Sequence, residues 1–245
     1  MRILTIGYYN KGNLGDDSYQ TMMPQFFPSH SLTFVSSDHI NMVDVSNYDG
    51  IIVGGGDIIN DYFHQKISPV LKSFKGPKIA FSIGIPFPSL INQEYLGYFD
   101  HIFTRNYEDV RSIQKVIGSH RAHFIPDIAL NYYKEPISRI SKSIKTCGIF
   151  LVGNIIRFPS IVEDITHLVS KIGLTCKIIM YSFNPNEDVP LSNIVRNLAL
   201  KKFNPKAQIT VDTNLYEAQQ MIDLMSELDF AVCMRYHSHI FCTVA

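Results

Sequence analysis

The alternation of short apolar runs with helical patterns is the feature that most constrains the fold of this chain. In the first half, six apolar runs each end near a Gly, Ser or Asp: Ile3–Gly7, Leu32–Ser36, Gly50–Val53, Lys78–Ile83, His101–Thr104 and His123–Ile125. Such runs are typical of parallel strands that are buried on both faces. Helical patterns at 17–27 and 106–117 lie between them. The order predicts an α/β fold built on a parallel sheet.

Local signals place the ends of these two helices. Asn106, followed by Glu108 and Asp109, predicts the start of the second helix, and Gly118 predicts its end. Pro24 predicts that the first helix ends or bends at that point, because proline lacks the backbone N–H that a helix interior needs.

Residues 134–146 interrupt the alternation. Proline, three serines and several basic residues follow one another there, as in a linker. The alternation then resumes with predicted strands at 147–152, 175–181, 208–212 and 230–234 and predicted helices near 161–172, 191–201 and 215–228. The simplest organisation is two α/β domains, residues 1–133 and 147–245, joined by the linker 134–146.

The composition narrows the class of protein. The 22 basic and 22 acidic side chains cancel, which argues against an electrostatic surface for nucleic acid. Four widely spaced cysteines indicate no disulfide framework. No run approaches the roughly 18 to 20 apolar residues that a membrane span needs, and the N-terminus does not resemble a secretion signal. We therefore expect a cytoplasmic globular protein with no membrane span.

Two glycine-rich turns follow predicted strands. Backbone N–H groups at such turns can hold an anion or a sugar. The first turn matches neither the dinucleotide fingerprint nor the P-loop, which argues against an NAD-dependent oxidoreductase. The alternatives are a connecting turn with Asp16 as a helix cap, and a tightly packed second turn in which Asp57 and Asp61 cap the next helix. The candidate binding residues are Gly12, Asn13, Gly15 and Asp16 in the first turn and Gly54, Gly55, Gly56 and Asp57 in the second.

Charged side chains follow three further strands. Arg105 offers a guanidinium for a carboxylate or phosphate, although a lone Arg is more often a surface ion-pair partner. Asp127 suits a ligand hydroxyl, an ion pair with Arg105, or a simple turn. Arg235 and His237 stand two residues apart where a strand gives way to a helix. Together they can hold an anion and move a proton.

A metal reading of the last residues is disfavoured. Cys233, His237, His239 and Cys242 are all possible zinc ligands, but their spacing fits none of the usual paired-ligand patterns. We predict no metal site.

Taken together, these segments resemble the polysaccharide pyruvyl transferase family. They follow the family's order and span nearly the whole chain. The resemblance implies a glycosyltransferase-B-like fold of two Rossmann-like domains with the active site in the cleft between them. It also implies phosphoenolpyruvate as donor substrate, a saccharide diol as acceptor, a cyclic pyruvate ketal as product, and no cofactor. The matching segments are 12–17, 54–57, Arg105 with Ser112, Pro126–Asp127 and 235–241.

The resemblance also suggests roles. His237 matches the family's catalytic histidine, and Arg105 and Arg235 match the positions that would clamp the carboxylate and phosphate of phosphoenolpyruvate. The two glycine turns would line the cleft on the donor or the acceptor side. Because members of the family usually continue past the Arg-x-His helix with another strand and helix, we expect the second domain to be incomplete at its C-terminus.

Two other functions stay open at the level of sequence. One is a nucleotide-sugar glycosyltransferase of the same architecture, for which Glu217 is poorly placed as a ribose ligand. The other is an inactive, glycan-binding homologue. Binding of phosphoenolpyruvate separates the pyruvyl transferase from both. The sequence predicts no particular oligomeric state and no particular acceptor sugar.

Overall fold

Two compact units make up the described part of the chain. The computed structural model describes residues 1–87, 92–118, 120–132 and 144–245. One unit consists of Met1–Lys11 with Asp16–Ala129, and the other of Gly12–Gly15 with Leu130–Ala245. Each unit has its own parallel sheet. Most of the predicted linker, residues 134–143, lies outside the described residues.

The first unit is built on a six-stranded sheet with the order β2-β1-β3-β4-β5-β6, in which every pair is parallel. Its strands are β1 (Arg2–Gly7), β2 (Ser31–Ser36), β3 (Gly50–Val53), β4 (Lys78–Ile83), β5 (His101–Thr104) and β6 (Ala122–Phe124). The helices are α1 (Leu14–Asp17), where the chain passes between the units, α2 (Tyr19–Phe26), α3 (Asp61–Ser73), α4 (Gln93–Gly97) and α5 (Tyr107–Ile117). Short 3-10 helices cover Ser37–Met42 and Val45–Asn47.

The central strands of this sheet form much of the core of the first unit. All four residues of β3 are buried, as the unbroken apolar run predicts. The aliphatic side chains of the central strands pack with those of α3, and burying each one contributes about 2 kcal/mol. This core fixes the ends of the strands, where the candidate site residues lie. Its members include Leu4, Ile6, Ile51, Val53, Ile67, Leu71 and Ile102.

The first sheet reverses its strand order at β1. Strand β1 pairs with β2 on one side and with β3 on the other. The backbone N–H of Gly54 donates to the carbonyl of Ile6 at 2.9 Å, so the turn after β3 lies beside the end of β1. Ligands of open α/β sheets bind at such a switch point, beyond the carboxyl ends of the strands.

The second unit is built on a four-stranded parallel sheet with the order β10-β7-β8-β9. Its switch point lies between β7 and β10. The strands are β7 (Thr146–Phe150), β8 (Lys177–Tyr181), β9 (Ile209–Val211) and β10 (Phe230–Cys233). The helices are α6 (Pro159–Ile172), α7 (Pro185–Leu198), α8 (Ala218–Ser226) and α9 (Tyr236–Val244), with a 3-10 helix at Gly153–Arg157 and a π-helical turn at Ala199–Phe203. A further 3-10 helix, Ile128–Tyr132, lies where the chain passes from the first unit to the second.

Two helix predictions need correction, and two helices were missed. The first helix begins earlier than predicted and is broken at Ser18, giving α1 and α2, and Pro24 lies inside α2 two residues before its end. Helix α7 begins at Pro185, six residues before the predicted start, because proline is preorganised for the first turn of a helix. Helices α3 and α4 were not predicted. By contrast, α5 has the predicted caps, with Asn106 before it and Gly118 after it at φ +93°.

No helix in the described ranges combines the length and the apolar character that crossing a bilayer requires.

Candidate functional site

Arg105 is the centre of a charged cluster in the first unit, which we call the Arg105 cluster and which comprises Arg105, Asp57, Asp127 and Tyr19. Arg105 Nη1 donates to Asp127 Oδ2 at 2.9 Å, and Nη2 donates to Asp57 Oδ1 at 2.8 Å. The side chains of Arg105 and Asp127 are 7% and 2% exposed, whereas that of Asp57 is 54% exposed. Of the readings considered for Asp127, the structure shows two: it pairs with Arg105, and its Oδ1 accepts the backbone N–H of Ala129 at 2.9 Å, as a turn residue does.

Tyr19 belongs to the same cluster, although no sequence signal singled it out. Its hydroxyl donates to Asp127 Oδ2 at 2.8 Å and lies 3.3 Å from Arg105 Nη1. Burial raises the pKa of Tyr19 well above its ordinary value, so the hydroxyl stays a donor at neutral pH. Beside it, Ser82 at the end of β4 has φ +54°, a strained conformation that sequence analysis read as an ordinary strand.

The turn after β3 is packed too tightly for any side chain. A Cβ atom at Gly55 would overlap the ring of Tyr19, and one at Gly56, where φ is +89°, would overlap Asp16 Oδ1. These positions therefore need glycine for packing alone, whether or not the turn also contacts a ligand. The cap of α3 is Asn60, which accepts from the N–H of Phe63 at 3.2 Å, and not Asp57 or Asp61.

The loop after β1 joins the second unit over residues Gly12–Gly15. The N–H of Leu14 donates to the carbonyl of Phe183 at 2.8 Å. Gly15 lies against the imidazole of His237, which a Cβ atom at this position would overlap. Of the predicted site residues, the structure thus brings Gly15 together with His237, while Asp16, the next residue, lies beside Gly56 in the first unit.

Arg235 is the centre of a second cluster, the Arg235 cluster, which comprises Arg235, Glu187 and Asp188. Arg235 leaves β10 and precedes α9. Its Nε and Nη2 donate to the two carboxylate oxygens of Asp188 at 2.8 and 2.6 Å, and Nη2 also donates to Glu187 Oε2 at 2.9 Å. Burial lowers the pKa of Arg235, but the two carboxylates outweigh it and raise the pKa above its ordinary value. The guanidinium is a permanent cation.

Asp188 is the anchor of this cluster. It is fully buried and accepts the backbone N–H groups of Gly153 at 3.0 Å, Phe183 at 3.1 Å and Asn184 at 2.9 Å. These donors follow β7 and β8, so three strand ends meet at one carboxylate. These hydrogen bonds, with those from Arg235, fix the position of the Asp188 side chain. Sequence analysis missed it because it placed the start of this helix near residue 191.

His237 lies in the first turn of α9, two residues after Arg235. It is 8% exposed, and its ring lies edge-on to that of Phe241, with 6.4 Å between centroids. Gly15 closes one side of the ring. A largely buried imidazole in the first turn of a helix can exchange a proton with an anion bound at the helix N-terminus.

The two clusters have the same arrangement of ion pairs. Each arginine is fixed by one buried aspartate, Asp127 or Asp188, and also contacts one acidic side chain that is more than half exposed, Asp57 or Glu187. The buried partner is fixed by further hydrogen bonds, whereas the exposed one is held by a weak surface ion pair. An incoming carboxylate or phosphate can replace the exposed partner without disturbing the buried one.

Among the described residues, no three His, Cys, Asp or Glu side chains are grouped closely enough to hold a metal ion.

A comparison with protein families shows to which family the chain belongs. The sequence model of the polysaccharide pyruvyl transferase family matches residues 2–245. This chain belongs to the polysaccharide pyruvyl transferase family. No curated protein matches the chain at a significant level.

Solved structures confirm the fold of this family member. The UDP-GlcNAc 2-epimerase of Neisseria meningitidis bound to UDP-GlcNAc is 12% identical, with a TM-score of 0.62 over 96% of this chain and 78% of that one. The S. aureus MnaA–UDP structure is 11% identical, with a TM-score of 0.61 over 96% and 74%. A structure of accessory secretory proteins 1, 2 and 3 from Streptococcus pneumoniae matches 85% of this chain at 13% identity, with a TM-score of 0.47. This chain spans only 41% of the length of that one. At such identities the first two similarities establish a glycosyltransferase-B-like α/β fold of two Rossmann-like domains and nothing more.

Proposed function

We propose that this protein transfers the pyruvyl group of phosphoenolpyruvate to two neighbouring hydroxyls of a saccharide, forming a cyclic ketal in glycan biosynthesis. The observation that carries the proposal is the placement of Arg235 and His237, in a chain of this family, at the switch point of the second sheet. We place the reaction in the cytoplasm, in keeping with four cysteines that are all free thiols.

Arg235 is suited to bind an anionic group of phosphoenolpyruvate. Asp188 holds one edge of the guanidinium, so the group is oriented before any ligand arrives. Among the described residues, none accepts a hydrogen bond from Arg235 Nη1, and that edge is available to a carboxylate or a phosphate. The N-terminal end of α9 adds a favourable dipole for negative charge. Orientation in advance lowers the entropy cost of binding.

His237 is suited to the proton transfers. Ketal formation needs a proton at the enol carbon, attack of one hydroxyl at C2, loss of phosphate, and closure of the ring by the second hydroxyl. Each hydroxyl must lose a proton, and the carbon must gain one. An imidazole ring can both give and take a proton, so it can act as acid and as base in turn. We assign His237 to these transfers as general acid or base.

The Arg105 cluster and the glycine turns are assigned to substrate binding. Arg105 is fixed by Asp127 and faces the exchangeable carboxylate of Asp57, which suits a second anionic group or a sugar hydroxyl. Calorimetry on an Arg105→Lys variant distinguishes the donor from the acceptor: a donor contact weakens phosphoenolpyruvate binding, whereas an acceptor contact raises only the KM for the saccharide.

Transfer of labelled pyruvate tests the proposal. The protein is incubated with phosphoenolpyruvate carrying ¹³C in its three carbons and with a panel of oligosaccharides, and the products are analysed by mass spectrometry together with the phosphate released. We expect labelled ketal and phosphate in equal amounts. His237→Asn should lower the rate by about 100-fold or more, while His239→Asn, an exposed residue of the same helix, should leave it unchanged.

Transfer of a sugar from UDP-glucose to the same panel, with no use of phosphoenolpyruvate, would establish the glycosyltransferase in its place. Saccharide binding with neither reaction would establish a glycan-binding homologue.

A further inference from the structure

Two thiols face each other beside the Arg235 cluster. Cys233 is the last residue of β10, and Cys242 lies in the last turn of α9. Their sulfur atoms are 3.4 Å apart, and Met225 Sδ lies 3.8 Å from Cys242 Sγ. A disulfide bond is about 2.05 Å long, so the two sulfurs need to approach by little more than about 1 Å.

The pair differs from the other cysteines in its access to solvent. Cys233 and Cys242 are half-buried, whereas Cys147 and Cys176 are 0% and 8% exposed. Burial raises the pKa of both deeply buried thiols, which keeps them protonated and inert. An oxidant from solvent therefore meets the pair first.

The contact between the two thiols also activates one of them. The two sulfurs lie within hydrogen-bond distance, where either thiol can donate, and contact with Cys242 lowers the pKa of Cys233, an effect that burial opposes and that Ser238 reinforces. The same contact raises the pKa of Cys242. The thiolate is the form that reacts with peroxides, so Cys233 is the attacking sulfur and Cys242 the one that resolves the product.

We propose that Cys233 and Cys242 form a reversible disulfide when the protein meets hydrogen peroxide. The Cys233 thiol first loses its proton to solvent, and the thiolate attacks one peroxide oxygen. The O–O bond breaks, and the departing hydroxide takes up a proton to leave water and Cys233 sulfenic acid. The Cys242 sulfur then attacks Cys233 Sγ, and the sulfenic hydroxyl leaves as a second water with the Cys242 proton. Two thiols and one peroxide thus give one disulfide and two waters.

The bond would act on the candidate site, a consequence that rests on the proposed function. Arg235 and His237 lie in the segment that the disulfide closes into a loop. Drawing Cys242 toward the end of β10 shifts α9, and His237 moves with the helix. Catalytic geometry tolerates only displacements well under about 1 Å. Oxidation should therefore weaken phosphoenolpyruvate binding and stop transfer. Transient disulfides of this kind are the usual redox sensors of reducing compartments.

Peptide mapping tests the chemistry directly. The folded protein is treated with one equivalent of hydrogen peroxide, alkylated with N-ethylmaleimide, and digested with trypsin, which separates the two cysteines by cleaving after Arg235. We expect peptide 207–235 and the peptide that begins at Tyr236 to be joined and to separate with dithiothreitol. Cys147 and Cys176 should carry no oxidation. Because they are buried, they should react with N-ethylmaleimide only once the protein is denatured. Cys242→Ser should leave a Cys233 sulfenic acid that dimedone traps, and the matched Cys176→Ser should still give the joined peptides.

Separate alkylation of Cys233 and Cys242 after peroxide, in protein whose circular dichroism is unchanged, would overturn the proposal. So would oxidation of Cys147 or Cys176 at the same dose. Calorimetry on the same samples tests the consequence: oxidation should weaken phosphoenolpyruvate binding at least fivefold in the wild type and not in Cys242→Ser. A disulfide that leaves binding unchanged would contradict the regulatory role alone. Failure of the reduced protein to bind would contradict the proposed function and not the disulfide.

Discussion

Arg235 donates to both carboxylate oxygens of Asp188, a residue 47 positions earlier in the chain that is fully buried. This two-point contact links the end of β10 to the first turn of α7. The donors from Gly153 and Asn184 bring the ends of β7 and β8 to the same carboxylate. The position of the guanidinium is therefore set by the core of the second unit and not by the flexible side chain itself.

Replacing Asp188 should destabilise the second unit strongly. In Asp188→Asn the amide NH₂ faces backbone donors, and Arg235 loses its buried counter-charge. Breaking one side of a buried ion pair costs about 3–5 kcal/mol. We expect a loss of that order in the free energy of unfolding, measured by urea denaturation. Asp164→Asn, an exposed carboxylate on α6, is the control and should change it by less than about 0.5 kcal/mol. A loss for Asp188→Asn as small as that of the control would contradict the anchoring role.

Glu187 should compete with anionic ligands for Arg235. It contacts the same Nη2 as Asp188, yet its side chain is 53% exposed. An exposed ion pair is worth up to about 1 kcal/mol, so Glu187→Gln should tighten phosphoenolpyruvate binding by about two- to fivefold with little change in stability. Isothermal calorimetry measures this, with Glu163→Gln on α6 as the control. Weaker binding in Glu187→Gln would instead place Glu187 among the residues that bind the ligand.

Gly15 should be essential for the position of His237. A side chain at Gly15 would overlap the imidazole, so Gly15→Ala must move the ring. A displacement of about 1 Å can lower a rate by about 100-fold. We expect transfer to fall by that order while circular dichroism stays unchanged. Gly97→Ala is the matched control, because a Cβ atom there meets nothing within 4 Å. Full activity in Gly15→Ala would show that the ring position is not critical.

Asp38 should give the first unit an acid-sensitive stability. It accepts hydrogen bonds from Lys11, Lys66 and Tyr62, which lower its pKa in the folded state. The unfolded value is about 3.9. Because the folded pKa is lower, the unfolded state binds more protons on acidification. The contribution of Asp38 to the free energy of unfolding is therefore complete well above the unfolded pKa, and it is lost as the pH falls through about 4 toward the folded pKa.

Urea denaturation as a function of pH measures this effect. Asp38→Asn should reduce the free energy of unfolding by about 1 kcal/mol at pH 7 and flatten its decline below about pH 4. Asp61→Asn, at an exposed position of the same unit, is the control. An unchanged acid limb in Asp38→Asn would contradict the assignment.

Elements that carry their own local signal could be predicted from the sequence. Strands β3, β4 and β5 begin and end at the predicted residues, because short, largely apolar runs that end near turn residues specify strands. Helix α5 has its predicted caps because Asn and Gly are local signals for a helix start and a helix end. The family resemblance, which rested on motifs at strand ends, was confirmed by the match over residues 2–245.

Relationships between distant residues could not be predicted. Neither the pairing of Arg235 with Asp188 nor that of Tyr19 with Asp127 leaves a trace in local composition, since both depend on which strand ends lie side by side. The start of α7 was missed, although Pro185 followed by acidic residues in the first turn is a signal for the start of a helix. The assignment of Gly12–Gly15 to the second unit depends on tertiary contacts alone.

Binding of phosphoenolpyruvate to the purified chain, followed by isothermal calorimetry, tests the central claim most directly. Arg235→Gln removes the cation at the site, Arg157→Gln removes an exposed one from the same unit, and UDP-glucose is the competing ligand. The account predicts saturable binding of phosphoenolpyruvate that Arg235→Gln abolishes, that Arg157→Gln leaves unchanged, and that UDP-glucose does not displace. Folded protein that binds UDP-glucose but not phosphoenolpyruvate, or binds neither, would contradict it.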